Sequence, residues 1–238
     1  MPQVLIQQAP LIGIWNIVQP WQDLLAMFQS KTWLAGEVDK IASDHRKCEW
    51  LAVRLLIKCL TGVEIPVQYR ANGTPFLDHD LYNISISHTR GYAAVLLTKH
   101  YNPGIDIEYR SGRAWRLRTK FLNTKELAFI DIAKNQTGHY SFAQQETLST
   151  LCWCAKETVY KALQKTDVDF INHFHIAPFK LSENGFMILN ETKTPKTDTF
   201  HIHYQQTDAY LLTWIAGIYA PTIVQGHDIG KNAGRTTL

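Results

Sequence analysis

Residues 104–108 read Gly-Ile-Asp-Ile-Glu, and they follow a break at Asn102-Pro103. The run alternates a β-branched residue with a carboxylate, which is typical of a β-strand. Successive side chains of a strand point to opposite faces, so Asp106 and Glu108 are predicted to share one face while the isoleucines face the core. Taken alone, the same alternation also fits an ordinary solvated strand face.

Residues 153–161 read Trp-Cys-Ala-Lys-Glu-Thr-Val-Tyr-Lys and predict a helix that begins at Thr150. Glu157 and Lys161 lie one turn apart on its polar face. The apolar stripe on the other side contains Leu151, Ala155, Val159, Ala162 and Leu163. Two carboxylates from the strand and one from the helix suit Mg²⁺, which keeps its remaining positions for water and phosphate oxygens. The two runs together indicate phosphoryl-transfer chemistry.

These residues also resemble a known family. The acidic run and the lysine-rich helix, in this order, are similar to the paired signature of 4′-phosphopantetheinyl transferases. The likeness is greatest to the long, Sfp-like type, which modifies carrier proteins of peptide and polyketide synthases. A third segment, Asn83-Ile84-Ser85-Ile86-Ser87-His88-Thr89, is similar to the family's Asn-hydrophobic-Ser-His-Ser element. The resemblance extends from about Ser43 to about Leu163.

Two departures from the family pattern stand out. Two extra residues separate Asn83 from the Ser87-His88 pair, and Thr89 stands where a serine is usual. The turn at Gly73-Thr74-Pro75 replaces the usual Gly-Lys-Pro, which removes a cation that can approach the nucleotide. Both changes concern coenzyme A binding.

The resemblance implies a holo-[carrier-protein] synthase. Such an enzyme moves the 4′-phosphopantetheine arm of coenzyme A to a serine of an apo acyl or peptidyl carrier protein and releases 3′,5′-ADP. Asp106, Glu108 and Glu157 would bind Mg²⁺, and Glu157 has a second potential role as the base that takes the serine proton. Lys161 would contact a phosphate as a point charge, and Lys156 would do likewise or bind the carrier.

Coenzyme A binding by other residues is also inferred from the resemblance. His88 matches the family histidine that hydrogen-bonds a phosphate, with Ser87 beside it, so His88 joins Glu157 and Lys161 as a predicted catalytic residue. Arg46 and Lys47 are assigned to the 3′-phosphate, and Arg54 is a weaker candidate. The alternative is a solvated basic face of a helix.

The fold class predicted from the chain is α+β, with a long helix and several antiparallel strands in each half. Ser43 or Asp44 can cap a helix that runs to about Leu60, and Gly62 is a C-terminal stop signal. The remainder after Gln164 is rich in predicted strands. The resemblance further implies two similarly folded halves with the active site in the crevice between them, and therefore a monomer.

The sequence predicts a division of the chain into two halves and a tail. Residues 1–102 form the predicted N-terminal half, residues 103–220 the half with the acidic residues, and residues 221–238 a polar tail that is expected to fray. Lys134 to Ser149 has no sustained period and predicts a long connector. With the basic loop from Arg110 to Lys120, it is the predicted docking surface for an acidic carrier.

The composition indicates a globular protein but excludes few functions. The chain has 238 residues, 45% hydrophobic and 19% charged, with a net charge of +3, so it is globular and only mildly basic. That charge is too small to indicate nucleic-acid binding. The four cysteines form no C-x-x-C pair and are predicted to be reduced, packed thiols. The first twenty residues resemble neither a signal peptide nor a membrane span, so a cytoplasmic protein is expected. A role in secondary metabolism is implied by the family resemblance alone.

Two other classes of function stay open. His173-Phe174-His175 and His201-Ile202-His203 would each place two imidazoles on one strand face, as in a transition-metal-binding protein or an oxygenase. A non-catalytic homologue that binds coenzyme A or a carrier is the second. At the helix, the alternative is an exposed Glu157–Lys161 pair, which stabilises by only about 0.3–0.5 kcal/mol.

Overall fold

The computed structural model of this protein describes residues 10–78, 81–132, 134–135, 138–195, 197–215 and 222–225. These residues divide into two compact units. The N-terminal unit extends to Pro103 and includes residues 222–225, and the C-terminal unit begins at Gly104. Both units combine helices with largely antiparallel sheets, so the predicted α+β class is confirmed.

The N-terminal unit is built around one long helix and a four-stranded sheet. Its helices are α1 (Trp21–Ala26), α2 (Lys31–Asp39) and α3 (Asp44–Thr61). Its strands are β1 (Leu11–Asn16), β2 (Val67–Tyr69), β3 (Pro75–Leu77), β4 (Asn83–Thr89), β5 (Tyr92–Thr98) and β13 (Thr222–Gln225). Strands β2 and β3 form a separate hairpin.

Helix α3 has both ends that the sequence predicts. The Ser43 hydroxyl accepts a hydrogen bond from the backbone N–H of Arg46, and Gly62 adopts a left-handed conformation with φ of 80°. The helix packs on β1 and β5, and its central residues Leu51, Leu56 and Ile57 are completely buried. Burial of this face anchors the N-terminal core.

The main sheet of the N-terminal unit has the order β13-β1-β5-β4. Strand β1 is antiparallel to β5 and parallel to β13. Residues 222–225 lie in the stretch that the sequence suggests is a fraying tail, yet they pair with residues 11–14. A four-residue strand with polar neighbours gives little sequence signal, because only its pairing with β1 defines it.

The C-terminal unit consists of helices on a five-stranded antiparallel sheet. Its helical segments are α4 (Arg113–Leu117), a 3₁₀ turn (Arg118–Lys120), α5 (Thr124–Ile132), α6 (Phe142–Leu163) and α7 (Phe170–His173). Its strands are β6 (Ile105–Tyr109), β7 (Lys134–Asn135), β8 (Gly138–His139), β9 (Phe174–Ile176), β10 (Asn184–Glu191), β11 (Thr199–Gln206) and β12 (Tyr210–Trp214). The sheet order is β6-β12-β11-β10-β9.

Two predictions for this unit are wrong. Helix α6 begins at Phe142 instead of Thr150, because Ser141 and Gln144 form a capping box that starts the helix two turns earlier. The second half of the predicted connector is therefore helix. The stretch from Arg110 to Lys120 is not a plain loop either, since it contains α4 and the 3₁₀ turn.

The two units share one strand order. In the N-terminal unit, β1 pairs with β5 and β5 with β4, while in the C-terminal unit β6 pairs with β12 and β12 with β11. In each unit, a first strand thus lies beside the last strand of its segment, and the long helix between them packs on both.

Among the described residues, no helix is long and apolar enough to cross a bilayer.

Candidate active site

Strand β6 and helix α6 approach each other closely at Gly104. A Cβ atom at this position would overlap the backbone carbonyl of Thr158, and it would lie 3.2 Å from the Ala162 Cβ. The Thr158 hydroxyl is 2.6 Å from the Thr213 hydroxyl, which ties α6 to β12 as well. The glycine of the acidic run therefore lets the carboxylates of β6 lie against α6.

Strand β6 has the predicted alternation of side chains. Ile105 and Ile107 are buried on one face. Asp106 and Glu108 lie on the other face, which is directed at α6 and not at open solvent, and Asp106 is only 4% exposed. The alternative of an ordinary solvated strand face does not describe Asp106.

Lys161 of α6 binds Asp106 directly. Its Nζ atom donates to Asp106 Oδ1 at 2.7 Å and to the carbonyl of Ile105 at 2.9 Å. The side chain is 26% exposed. The ion pair of Lys161 thus joins α6 to β6 instead of joining two residues of one helix. Its positive charge neutralises part of the acidic cluster, by which we mean Asp106, Glu108 and Glu157.

Glu157 lies in the same electrostatic environment. Burial raises the pKa of its carboxyl group to about 7, and the negative charges of Asp106 and Glu108 add to this effect while Lys161 opposes it. A carboxylate responds in this way only to charges nearby. Asp106 and Glu108 are therefore close enough to Glu157 for their charges to act on its carboxyl group.

The carboxylates of β6 and α6 have the chemistry that a divalent cation needs. Three carboxylates from β6 and α6 are chemically suited to Mg²⁺, which prefers oxygen ligands. Among the residues that the structure describes, no group of three or more His, Cys, Asp or Glu side chains is already arranged to hold a metal ion. The residues fit the cation in their chemistry, and the three-carboxylate metal site stays a prediction.

Glu108 lies at the edge of a pocket in the C-terminal unit. The Trp153 indole N–H donates to Glu108 Oε1 at 3.3 Å. The pocket has a volume of about 240 Å³. It is lined by Glu108, Tyr109, Ser111, Arg113, Ala114, Leu117, Lys120, Phe121, Thr150 and Trp153. Its walls are largely apolar, and Arg113 and Lys120 contribute positive charge.

The C-terminal unit is similar to a known protein family. The family model of the 4′-phosphopantetheinyl transferase superfamily matches residues 102–215. Residues 102–215 form a 4′-phosphopantetheinyl transferase superfamily domain. A search of curated proteins found no match. The matched segment includes β6, α6 and every residue of the acidic cluster.

Lys156 lies within the transferase domain but not where the sequence analysis placed it. Its side chain is completely buried, and Nζ donates to Glu126 Oε2 at 2.7 Å and to the carbonyls of Phe121 and Phe170. All three donor positions of the ammonium are used inside the core. The assignment of Lys156 to a phosphate or a carrier is therefore wrong for this structure.

The N-terminal unit contains the other residues predicted to bind coenzyme A. His88 is the sixth residue of β4 and is 40% exposed, and its Nε2 lies 3.4 Å from Arg46 Nη1 of α3. Ser87 is nearly buried. Arg46 and His88 thus form one cluster, as their common assignment to coenzyme A phosphates requires, although their contact with coenzyme A stays a prediction.

Lys47 and Arg54 are less available than predicted. Lys47 is 15% exposed, with Nζ 4.5 Å from the centre of the Trp21 ring and 3.5 Å from Asp44. Arg54 is 7% exposed and stacks on the Trp50 ring, and burial lowers the pKa of its guanidinium to about 10. The guanidinium of Arg54 is packed against the protein, and its assignment to coenzyme A stays a prediction.

The histidine pairs do not support the transition-metal hypothesis. His173 ends the short helix α7, where its Nδ1 accepts the backbone N–H of Asp169, while His175 lies on β9. This pair does not share a strand face. His201 and His203 do share one on β11, but the His203 ring stacks on Trp214, and burial, followed by the charge of His201, lowers the pKa of His203.

Two carboxylates with important contacts were missed by the sequence analysis. Glu126 holds Lys156 in the C-terminal core, and Glu49 lies buried beside Arg46 and His88. A signal for Glu49 exists, since it occupies the i−3 and i−7 positions to Ala52 and Leu56 on the buried stripe of α3. Glu126 has a local signal as well, since Asn123 and Glu126 have the spacing of a capping box and exchange hydrogen bonds at the start of α5, but its pairing with the distant Lys156 has none.

Proposed function

We propose that this protein transfers the 4′-phosphopantetheine group of coenzyme A to a serine hydroxyl of an apo acyl or peptidyl carrier protein, with Mg²⁺ as cofactor. The observation that supports this most strongly is the convergence of Asp106, Glu108, Glu157 and Lys161 inside a transferase superfamily domain. Transfer of a phosphoryl-linked group needs charge stabilisation around a pyrophosphate more than covalent chemistry by the protein.

Each acidic residue has a defined part in the proposal. Asp106, Glu108 and Glu157 would hold Mg²⁺, which when bound supplies positive charge for the pyrophosphate oxygens. Lys161 orients Asp106 through its hydrogen bond, and we propose that its ammonium group also contacts a phosphate. Glu157 is also the proposed acceptor of the serine proton, directly or through a water molecule.

The carrier is proposed to dock beside the acidic cluster. The pocket next to Glu108 combines an apolar wall, formed by Leu117, Phe121 and other residues, with the cations Arg113 and Lys120. Carriers of this class are acidic, and a basic rim increases the rate of encounter with such a partner. This surface includes part of the predicted docking region from Arg110 to Lys120.

The finer attributes belong to the same proposal. We assign the chain to the long, two-half type, because the strand order β1-β5-β4 of the N-terminal unit corresponds to the order β6-β12-β11 of the C-terminal unit. A monomer follows from that type, and the cytoplasmic location expected from the N-terminal sequence is part of the same proposal.

The proposal is tested by incubating the protein with coenzyme A, Mg²⁺ and several apo acyl and peptidyl carriers, and by weighing each carrier with mass spectrometry. At least one carrier is expected to gain one phosphopantetheine, and chelation of Mg²⁺ should abolish the gain. Glu157→Gln should lower the rate by about 10²–10³-fold or more with the fold retained. Glu183→Gln, which alters an exposed carboxylate outside the site, is the control and should keep full activity.

Two results would reject parts of this proposal. If no carrier gains the group although coenzyme A binds, the protein is a non-catalytic homologue. If Glu157→Gln retains normal activity, the acidic cluster has been assigned incorrectly.

A further inference from the structure

The N-terminal unit contains a buried carboxylate, Glu49, for which the proposed function so far has no role. Glu49 lies on α3 and is only 5% exposed. A buried, ionised carboxylate is costly unless it is paired, so its neighbours explain why it is tolerated. Those neighbours come from two elements, the first turns of α3 and the strand β4.

Three cationic or ionisable side chains surround this carboxylate. Arg46 Nη1 donates to Glu49 Oε2 at 2.9 Å. His45 Nε2 lies 3.0 Å from Glu49 Oε1, and His88 Nδ1 lies 3.4 Å from the same oxygen. Since a carboxylate only accepts hydrogen bonds, it orients each of these groups by the nitrogen that faces it.

The carboxylate is buried, whereas the side chains that it contacts are exposed to solvent. The side chain of Glu49 is 6% exposed, whereas those of His45, Arg46 and His88 are 56%, 60% and 40% exposed. The carboxylate is thus an internal anchor, and the groups it holds face solvent. Arg46 Nη1 and His88 Nε2 are 3.4 Å apart, so one phosphate group can contact both side chains.

We propose that Glu49 is a positioning residue that holds Arg46 and His88 together in the orientation in which they bind a phosphate group of coenzyme A. This inference rests on the proposed function, because that function supplies the phosphate ligand. Arg46 would otherwise be a long, flexible side chain at a helix start, and fixing it in advance lowers the entropy lost when the ligand binds. Glu49 itself contacts neither substrate nor metal in this scheme.

Glu49→Gln tests the role, because glutamine keeps the size of the side chain and removes its charge. The KM for coenzyme A is expected to rise roughly ten-fold or more while kcat changes little, since a charge-assisted hydrogen bond that orients the binding groups is lost. The affinity for 3′,5′-ADP, measured by calorimetry, should fall by a similar factor. Glu49→Gln should cost less affinity in an Arg46→Ala background than in the wild type, because only the orientation of His88 is then left to lose.

A readout without any ligand separates positioning from general stability. The side-chain NMR signals of His88, assigned by their loss in His88→Asn, should shift in free Glu49→Gln. Glu64→Gln is the matched control. Glu64 also binds a residue of α3, Lys58, but its hydrogen bonds are to Lys58, Gln29 and Ser30 and not to Arg46 or His88. The control should lower stability and leave KM, 3′,5′-ADP affinity and the His88 signals unchanged.

The outcomes distinguish this inference from the proposed function. Unchanged KM, 3′,5′-ADP affinity and His88 signals in folded Glu49→Gln overturn the positioning role. If the wild type binds coenzyme A but modifies no carrier, the transferase proposal fails and the binding data still decide the role of Glu49. A wild type that binds neither coenzyme A nor 3′,5′-ADP overturns both. Should Glu49→Gln not fold, Glu49→Asp, which keeps the charge and retracts it by one methylene, is expected to fold and to raise KM.

Discussion

Gly104 determines how closely the acidic strand approaches the long helix of the transferase domain. Its φ is not in the left-handed region, so conformational freedom is not the reason for a glycine here. The reason is space, since a Cβ would overlap the carbonyl oxygen of Thr158, which belongs to the helix backbone and cannot rotate away. The position of Asp106 relative to Lys161 depends on this contact.

Gly104→Ala should therefore separate β6 from α6. We expect a loss of about 1–3 kcal/mol in the free energy of unfolding, as for overpacked cores, and a large fall in transfer rate because the carboxylates move. Urea unfolding and the carrier assay measure the two effects. Gly36→Ala is the control: Gly36 is an exposed residue of α2 whose added Cβ meets nothing within 4 Å, so this change should stabilise by about 0.5–1 kcal/mol. Equal stability of both variants would contradict the steric argument.

Lys156 and Lys161 belong to one helix and differ completely in environment. Lys156 is buried with Glu126 and two carbonyls, and burial lowers its pKa, whereas Lys161 is partly exposed beside Asp106. The first lysine links α6 to the segments around Phe121 and Phe170. Lys156 therefore stabilises the packing around α6 and does not itself contact the acidic cluster.

Lys156→Met should destabilise the protein by about 3–5 kcal/mol, because Glu126 is left as a buried charge without its partner. Adding Glu126→Gln should recover part of the loss, and Lys165→Met, at an exposed position, should change stability by less than about 0.5 kcal/mol. Denaturant titrations give these values. If Lys156→Met were as stable as the wild type but inactive, Lys156 would contact the substrate after all.

At the level of elements, Glu64 holds the end of α3 to the segment between α1 and α2. It accepts hydrogen bonds from Lys58 Nζ at 2.8 Å and from the backbone N–H groups of Gln29 and Ser30. Burial alone would raise the pKa of Glu64, but these bonds outweigh it and lower the pKa to about 2. The ionised carboxylate is therefore part of the folded state.

The stabilisation by Glu64 should disappear in acid. Because its folded pKa lies below the ordinary value of 4.5, the contribution is fully present above that pH and is lost as the pH falls towards 2. Glu64→Gln should cost roughly 1.5–3 kcal/mol at pH 7 and progressively less below pH 4.5. Urea unfolding of both proteins across this range measures the difference. A constant difference at all pH values would show that the charge is not responsible.

The limits of α3 could be predicted because both signals are local, a serine cap and a left-handed glycine. The alternation of isoleucines and carboxylates along β6 could also be predicted, because it depends only on the strand period. The burial of Asp106 was not, since it depends on α6 and β12 covering the strand. The early start of α6 was missed because its first two turns are rich in polar residues, although the Ser141–Gln144 spacing fits a capping box.

At the scale of the whole molecule, the same strand order occurs in both units although the residues show no repeat. Hydrophobic patterning fixes which residues are buried, and different sequences can satisfy one order of strands. The N-terminal unit has one addition, the parallel strand β13, which comes from the far end of the chain and pairs with β1. A contiguous N-terminal segment therefore does not contain the complete sheet.

Shortening the chain tests whether β13 contributes to the N-terminal unit. A chain that ends at Ala216 lacks the partner of residues 11–14 and should lose roughly 2–4 kcal/mol, at about 1 kcal/mol for each backbone hydrogen bond. A chain that ends at Gln225 keeps the strand and should be more stable than the shorter chain by this amount. Hydrogen exchange locates the effect, because the amides of β1 that pair with β13 should exchange faster only in the shorter chain. Equal protection of β1 in both chains would mean that the sheet is stable without its parallel strand.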